Sequence, residues 1–109
     1  MSERSPKLLL EDILDSARKI IRYTDDISYD EFTKDSKTID AVVRNYEIIG
    51  EASNRLPEEI RIKIDNVDWF RIRGFRNRIA HEYFGLDHQI IWQLKETYLQ
   101  TLQFVLDNY

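Results

Sequence analysis

The window Arg76-Asn77-Arg78-Ile79-Ala80-His81-Glu82-Tyr83 sets an arginine, a histidine and a tyrosine at R-x-x-x-x-H-x-Y spacing. It lies in a run of four arginines: Arg71, Arg73, Arg76 and Arg78. A guanidinium stays charged and grips phosphate oxygens in a fork. An imidazole gives or takes a proton near neutral pH. A phosphate clamp beside a proton carrier is the minimal equipment for cutting a phosphodiester without a metal. Between Asp68 and Tyr83 four arginines face two acids, whereas the whole chain carries a net charge of −4. A uniformly cationic nucleic-acid surface is thereby excluded, and any phosphate binding must be local. A plainer reading stands beside this one, in which the arginines pair with nearby acids such as Asp68 and Glu82.

Spacing refines the picture. A helical residue turns about 100°. Arg73, Asn77 and His81 are four apart and stack along one helical face, while Arg76 and Tyr83 are two turns apart along an adjacent face. Arg76 and His81 diverge by roughly 140° on one straight helix. They converge if the helix loosens near His81, or if both reach into a groove made with a second helix. A two-fold dimer supplies such a groove from the partner's copy of the same helix. One histidine cannot readily serve as both base and acid in one turnover, whereas two copies across a dimer axis can. Catalysis therefore argues for a homodimer. The bland alternative is that His81 sits at a helix C-terminus, where the dipole favours it. Tyr46 and Tyr83 can both be read as amphipathic core residues with hydroxyls at the surface. That suffices for Tyr46. Tyr83, two residues past the histidine, sits at the mouth of the candidate site, where its phenol can bind phosphate or be modified.

Other chemistries find no support. His81-Glu82 opens like H-E-x-x-H, but Gly85 stands where the second histidine belongs. The three glycines, Gly50, Gly74 and Gly85, are too scattered for a phosphate loop, and no serine sits in a nucleophile elbow. The absence of cysteine removes disulfides, zinc-thiolate sites and thiol nucleophiles together. His88 reads as an exposed residue at a helix start. No metal or cofactor is expected.

The elements that must hold these residues read as helices throughout. Ser5 and Pro6 open a first helix to about Tyr23, with Leu10, Ile13, Leu14, Ala17, Ile20 and Ile21 at helical spacing. Ser28 with Glu31 forms a capping box for a short turn around Phe32. A second long helix runs from about Ser36 to Leu56 on the stripe Ile39, Val42, Val43, Tyr46 and Ile49. Gly50 inside it costs about 1 kcal/mol against alanine, which a close helix or a ligand approach would offset. Pro57 to Ile64 reads as a short helix. Asp68 caps the arginine-bearing helix, Trp69 to about Phe84, with Gly85 as its stop. Asp87 caps a last helix towards Asn108, striped by Ile91, Leu94, Tyr98, Leu102 and Val105. Short connections predict antiparallel neighbours. The expected fold is all-α: four main helices and one or two short ones.

The 109 residues suit one domain, spanning 1–109. With 42% hydrophobic and 33% charged residues, the composition is that of a soluble globular protein. The polar stretch Met1 to Lys7 lacks the apolar core of a signal peptide. No apolar run approaches the roughly 20 residues of a membrane span. A cytoplasmic location without membrane contact is the expectation.

The stretch Trp69 to Tyr83, WFRIRGFRNRIAHEY, resembles the signature of HepT-type HEPN proteins. These are small prokaryotic toxins usually paired with an MntA-type minimal nucleotidyltransferase antitoxin. Ile48-Ile49-Gly50-Glu51-Ala52 resembles the family's second signature, and Asp87 to Trp92 also looks familial, so the likeness covers nearly the whole chain. The resemblance implies an antiparallel helical bundle that dimerises and cuts RNA without a metal, as the toxin of a type VII-like pair. It implies Arg76 and His81 as the ribonuclease residues, with Asn77 and Arg73 in support and Glu51 facing the same cleft. It implies Tyr83 as the tyrosine that the antitoxin adenylylates to silence the toxin. Two other readings remain. One is a non-catalytic module that holds a nucleotide or docks the nucleotidyltransferase. The other is a purely structural interaction domain.

Overall fold

The computed structural model describes residues 4–82, 87–99, 102, 103 and 107, the side chains at 75, 78–82, 97 and 98 aside. It is all-α, with no strand among the described residues. The elements are α1 (Pro6–Thr24), α2 (Tyr29–Thr33), α3 (Ser36–Arg55), α4 (Glu58–Lys63), α5 (Trp69–Glu82) and α6 (His88–Leu94). A π-helical turn, Lys95–Leu99, follows α6 directly.

The ends of the helices follow local chemistry. The Ser5 hydroxyl accepts from Leu8 N–H, with Pro6 in the first turn. The capping box of Ser28 and Glu31 is complete, each side chain accepting from the other's backbone. Asp35 caps α3 through Thr38 N–H. Asp68 accepts from Arg71 N–H at 3.1 Å at the start of α5, and Asp87 from Gln89 N–H at 2.8 Å at the start of α6. At the other end of α3, the Arg61 guanidinium donates to the carbonyls of Ser53 and Leu56 at 3.0 and 2.8 Å. It thereby adds a donor at the end of α3, where the helix runs short of N–H partners.

α3 is the spine of the fold, packed against α1 on one side and α5 on another. Leu9, Ile13, Ala17 and Ile20 of α1 meet Ile39, Val42, Val43, Tyr46, Ile49 and Ala52 of α3 in one core. The expected stripe of α1 is turned slightly: Leu9 is buried, while Leu10, Leu14 and Ile21 are half-buried. α2 leans on the end of the fold through Phe32, whose ring centre lies 5.1 Å from that of Trp92 in α6. His88, expected to be exposed, is half-buried with its ring edge-on to Phe32, at 6.5 Å between centres.

Two differences from the sequence reading have clear causes. The Tyr46 hydroxyl is not at the surface. Tyr46 is 5% exposed and its O–H donates to the Ile91 carbonyl at 3.0 Å, tying α3 to α6. Burial pushes its phenol pKa upward. The last helix is also not one uninterrupted α-helix. Its π turn bonds i to i+5 and advances the register by a residue. Leu99 of that turn enters the core with Ile91 and Leu102, and Leu94 packs against it. The Tyr98 side chain, Val105, Phe84 and the Gly85 stop lie outside the described residues. No helix among the described residues is long and apolar enough to cross a membrane.

Candidate functional site

α5 begins where Trp69 is fixed. Its indole N–H donates to the Ile64 carbonyl at 2.9 Å, and the ring is 8% exposed. That anchor sets the rotation of the helix that carries the arginines. Four residues on, Arg73 projects to the exposed side and donates its Nε–H to Asn54 Oδ1 of α3. Three residues further, Arg76 crosses α3 at Gly50. The pairs 54 with 73 and 50 with 76 run in opposite senses, so α5 lies antiparallel to α3.

The crossing is unusually close. A Cβ placed on Gly50 would lie 2.7 Å from Arg76 Cγ and nearer still to its Cβ, where ordinary contact begins at 3.4 Å. Gly50 has no positive φ, so space rather than backbone freedom is what the position demands. Of the two offsets considered for this glycine, close helix approach is the one present. Gly74 differs, since nothing stands within 4 Å of a Cβ built there.

The described arginines of the run differ in what holds them. Arg71 pairs with Asp68 at 3.3 Å across one turn, as the plainer reading of the run expects. Arg73 is bonded through Nε to Asn54. Arg76 is half-buried, and among the described residues no carboxylate pairs with it. Asn77 and Glu51 are exposed on α5 and α3. His81 belongs to α5 by its backbone, so α5 remains helical through the position where loosening was one way to bring it to Arg76. The His81 side chain and the whole of Tyr83 lie outside the described residues.

Asn54 was absent from the sequence reading. The available signal was its position four residues after Gly50, hence on the same face of α3 and one turn nearer the start of α5. Helical spacing alone does not reveal which cation such an amide faces across an interface.

The comparisons with known proteins point one way. The family described as Ribonuclease HepT-like matches residues 13–108. A Methanocaldococcus jannaschii protein named "Putative RNase" is 44% identical over 94 residues, covering 86% of each chain. A "Putative RNase" of Caldanaerobacter subterraneus is 43% identical, covering 85% of each chain. The "Probable ribonuclease HepT" of Thermococcus cleftensis is 36% identical, covering 84% of this chain and 83% of its own. No solved structure matches.

Proposed function

The chain belongs to the HepT-like ribonuclease family, and from that premise we propose that it is a metal-independent endoribonuclease whose Arg76 holds the scissile phosphate. The observation that carries this reading is the state of Arg76. It is the described member of the arginine run that is half-buried at a helix crossing and paired with no described carboxylate, five residues before His81 on the same helix. A guanidinium held by its stem, with no described carboxylate on its head, suits a phosphate that gains charge in the transition state.

RNA brings its own nucleophile. One His81 takes the proton of the 2′-hydroxyl as that oxygen attacks phosphorus. The bond to the 5′-oxygen breaks, and a second His81 donates the proton which that oxygen needs. The products are a cyclic 2′,3′-phosphate and a 5′-hydroxyl. Supplying acid and base together requires a homodimer that joins two copies of the helix. Asn77 supports the phosphate backbone, Arg73 does so with the terminal guanidinium nitrogens that its Nε bond to Asn54 leaves over, and Glu51 borders the cleft.

Regulation belongs to the same reading. The protein acts as the toxin of a toxin–antitoxin pair, and a minimal nucleotidyltransferase partner adenylylates Tyr83. The added phosphodiester and purine oppose RNA at the entrance by charge and bulk.

The test is cleavage of a mixed RNA by purified protein in EDTA, with Arg76→Ala and His81→Ala alongside. The expected result is cleavage with cyclic phosphate ends in the wild type and none in either variant, at unchanged helical content. Cleavage that needs a divalent ion, or that survives both changes, refutes the mechanism. RNA binding without cleavage by the unmodified wild type would turn the assignment to a binding module.

A further inference from the structure

An arginine has an aliphatic stem as well as a charged head, and at Arg76 the stem is the constrained part. Its Cβ and Cγ fill the space that a side chain on residue 50 would occupy. One turn along the same interface, Asn54 holds Arg73 by its Nε. α3 thus presents a notch and then an amide, four residues apart, to two arginines three apart on α5. The first fixes an arginine by its stem and the second fixes one by its head. A head fixed by an amide is occupied. A stem fixed in a notch leaves the head free but determines where its reach begins.

We propose that Gly50 is a positioning residue for Arg76: the missing side chain on α3 sets the point from which the guanidinium reaches the phosphate. This rests on the ribonuclease reading above and adds a residue that acts only through Arg76. Any side chain at 50 must push the Arg76 stem or part the two helices. Catalytic geometry tolerates neither, since a misplacement of about 1 Å costs on the order of a hundredfold in rate.

The contact is tested first by melting temperature, independently of activity. Gly50→Ala replaces a helical glycine with a better helix former, which by itself stabilises. Overpacking against Arg76 outweighs that gain, and the melting temperature falls by about 5 °C or more. In an Arg76→Gly background both clashing carbons are gone, and Gly50→Ala should then raise the melting temperature. In an Arg76→Ala background Cβ remains, so the loss should persist. Gly74→Ala, with open space around it, should raise the melting temperature in the wild type. A Gly50→Ala effect of the same sign in all three backgrounds overturns the notch. The double variant with Arg76→Gly keeps this measurable even if Gly50→Ala alone folds poorly.

The positioning role is tested by single-turnover RNA cleavage at a temperature where every variant is folded. Ile13→Val, in the fully buried core of α1, serves as a destabilised control. Gly50→Ala should cut at least tenfold more slowly, with RNA affinity changed far less, while Ile13→Val stays within about twofold of wild type. A Gly50→Ala protein that shows the background-dependent melting but cleaves like wild type overturns the positioning role and leaves the ribonuclease reading intact. Wild type that cuts no RNA removes the ribonuclease reading and this role with it, while the melting series still reports on the notch.

Discussion

Replacing Tyr46 with phenylalanine deletes one oxygen from the core, and the consequence depends on pH in a way that exposure would not produce. The hydroxyl donates to the buried Ile91 carbonyl at 3.0 Å, in a residue 5% exposed. Losing that bond should cost about 1 kcal/mol at neutral pH, or about 4 °C in melting temperature for a domain of this size. Burial raises the phenol's pKa in the folded chain, whereas in the unfolded chain it stays near 10. The neutral phenol's contribution is therefore fully present below about pH 10 and is lost as pH climbs towards the folded value. The reason is that the unfolded chain releases this proton first. At about pH 11 that release stabilises the unfolded wild type by about 1.4 kcal/mol. Tyr46→Phe has no such proton to lose. Its deficit should shrink above about pH 10, vanish before about pH 11 and be slightly reversed there. Urea unfolding followed by far-UV circular dichroism, on both proteins from about pH 7 to about pH 11, reads this directly. The other tyrosines are common to both proteins and cancel. A gap that stays constant across the range would mean that the phenol titrates alike in both states. The hydroxyl would then be in water, and the account of how α3 holds α6 would be wrong.

Trp69→Phe removes the indole N–H bonded to the Ile64 carbonyl and should cost about 1 kcal/mol in chemical denaturation, with the helix content of the folded protein unchanged. Light scattering at micromolar concentration should give a homodimer; a stable monomer would speak against a site shared by two histidines. Incubation with the cognate nucleotidyltransferase, ATP and magnesium should add AMP mass to the wild type and none to Tyr83→Phe. AMP found on Tyr46 or Tyr98 would overturn the regulatory assignment while leaving the nuclease standing.

The helices were legible because their ends carry local chemistry. Ser5 with Pro6, Ser28 with Glu31, and the aspartates at 68 and 87 all sit where the helices start. What stayed hidden depended on partners distant in sequence. Tyr46 looked like one more apolar position with a wet tip, because nothing near it in sequence reveals the Ile91 carbonyl 45 residues away. The π turn after α6 has no glycine or proline to announce it, and Leu99 within it joins Ile91 and Leu102 of the expected stripe in the core. In the site, the arginine run was visible as a charge anomaly. Which arginine has no carboxylate partner among the described residues was not, because Arg71 is occupied by a neighbour on its own helix and Arg73 by Asn54 across an interface.

Those hidden contacts share one ridge. Tyr46, Gly50 and Asn54 are each four apart on α3 and therefore stand one above another. Along that ridge Tyr46 holds α6 by a hydroxyl, Gly50 admits the stem of Arg76, and Asn54 accepts from Arg73. Three adjacent turns thus do three different things: donate to a carbonyl, leave room, and accept from a cation. Hydrophobic periodicity scores all three only for belonging or not belonging to the buried side, which is why it found the helix and missed its use. α3 is also tied at the end of this ridge. The Ser53 and Leu56 carbonyls accept from Arg61, and the Ser53 hydroxyl donates to the Ile49 carbonyl at 2.7 Å, beside the turn that carries Gly50 and Asn54. A notch positions a neighbouring arginine only as far as its walls hold, and the melting series on Gly50 and Arg76 is the measure of that.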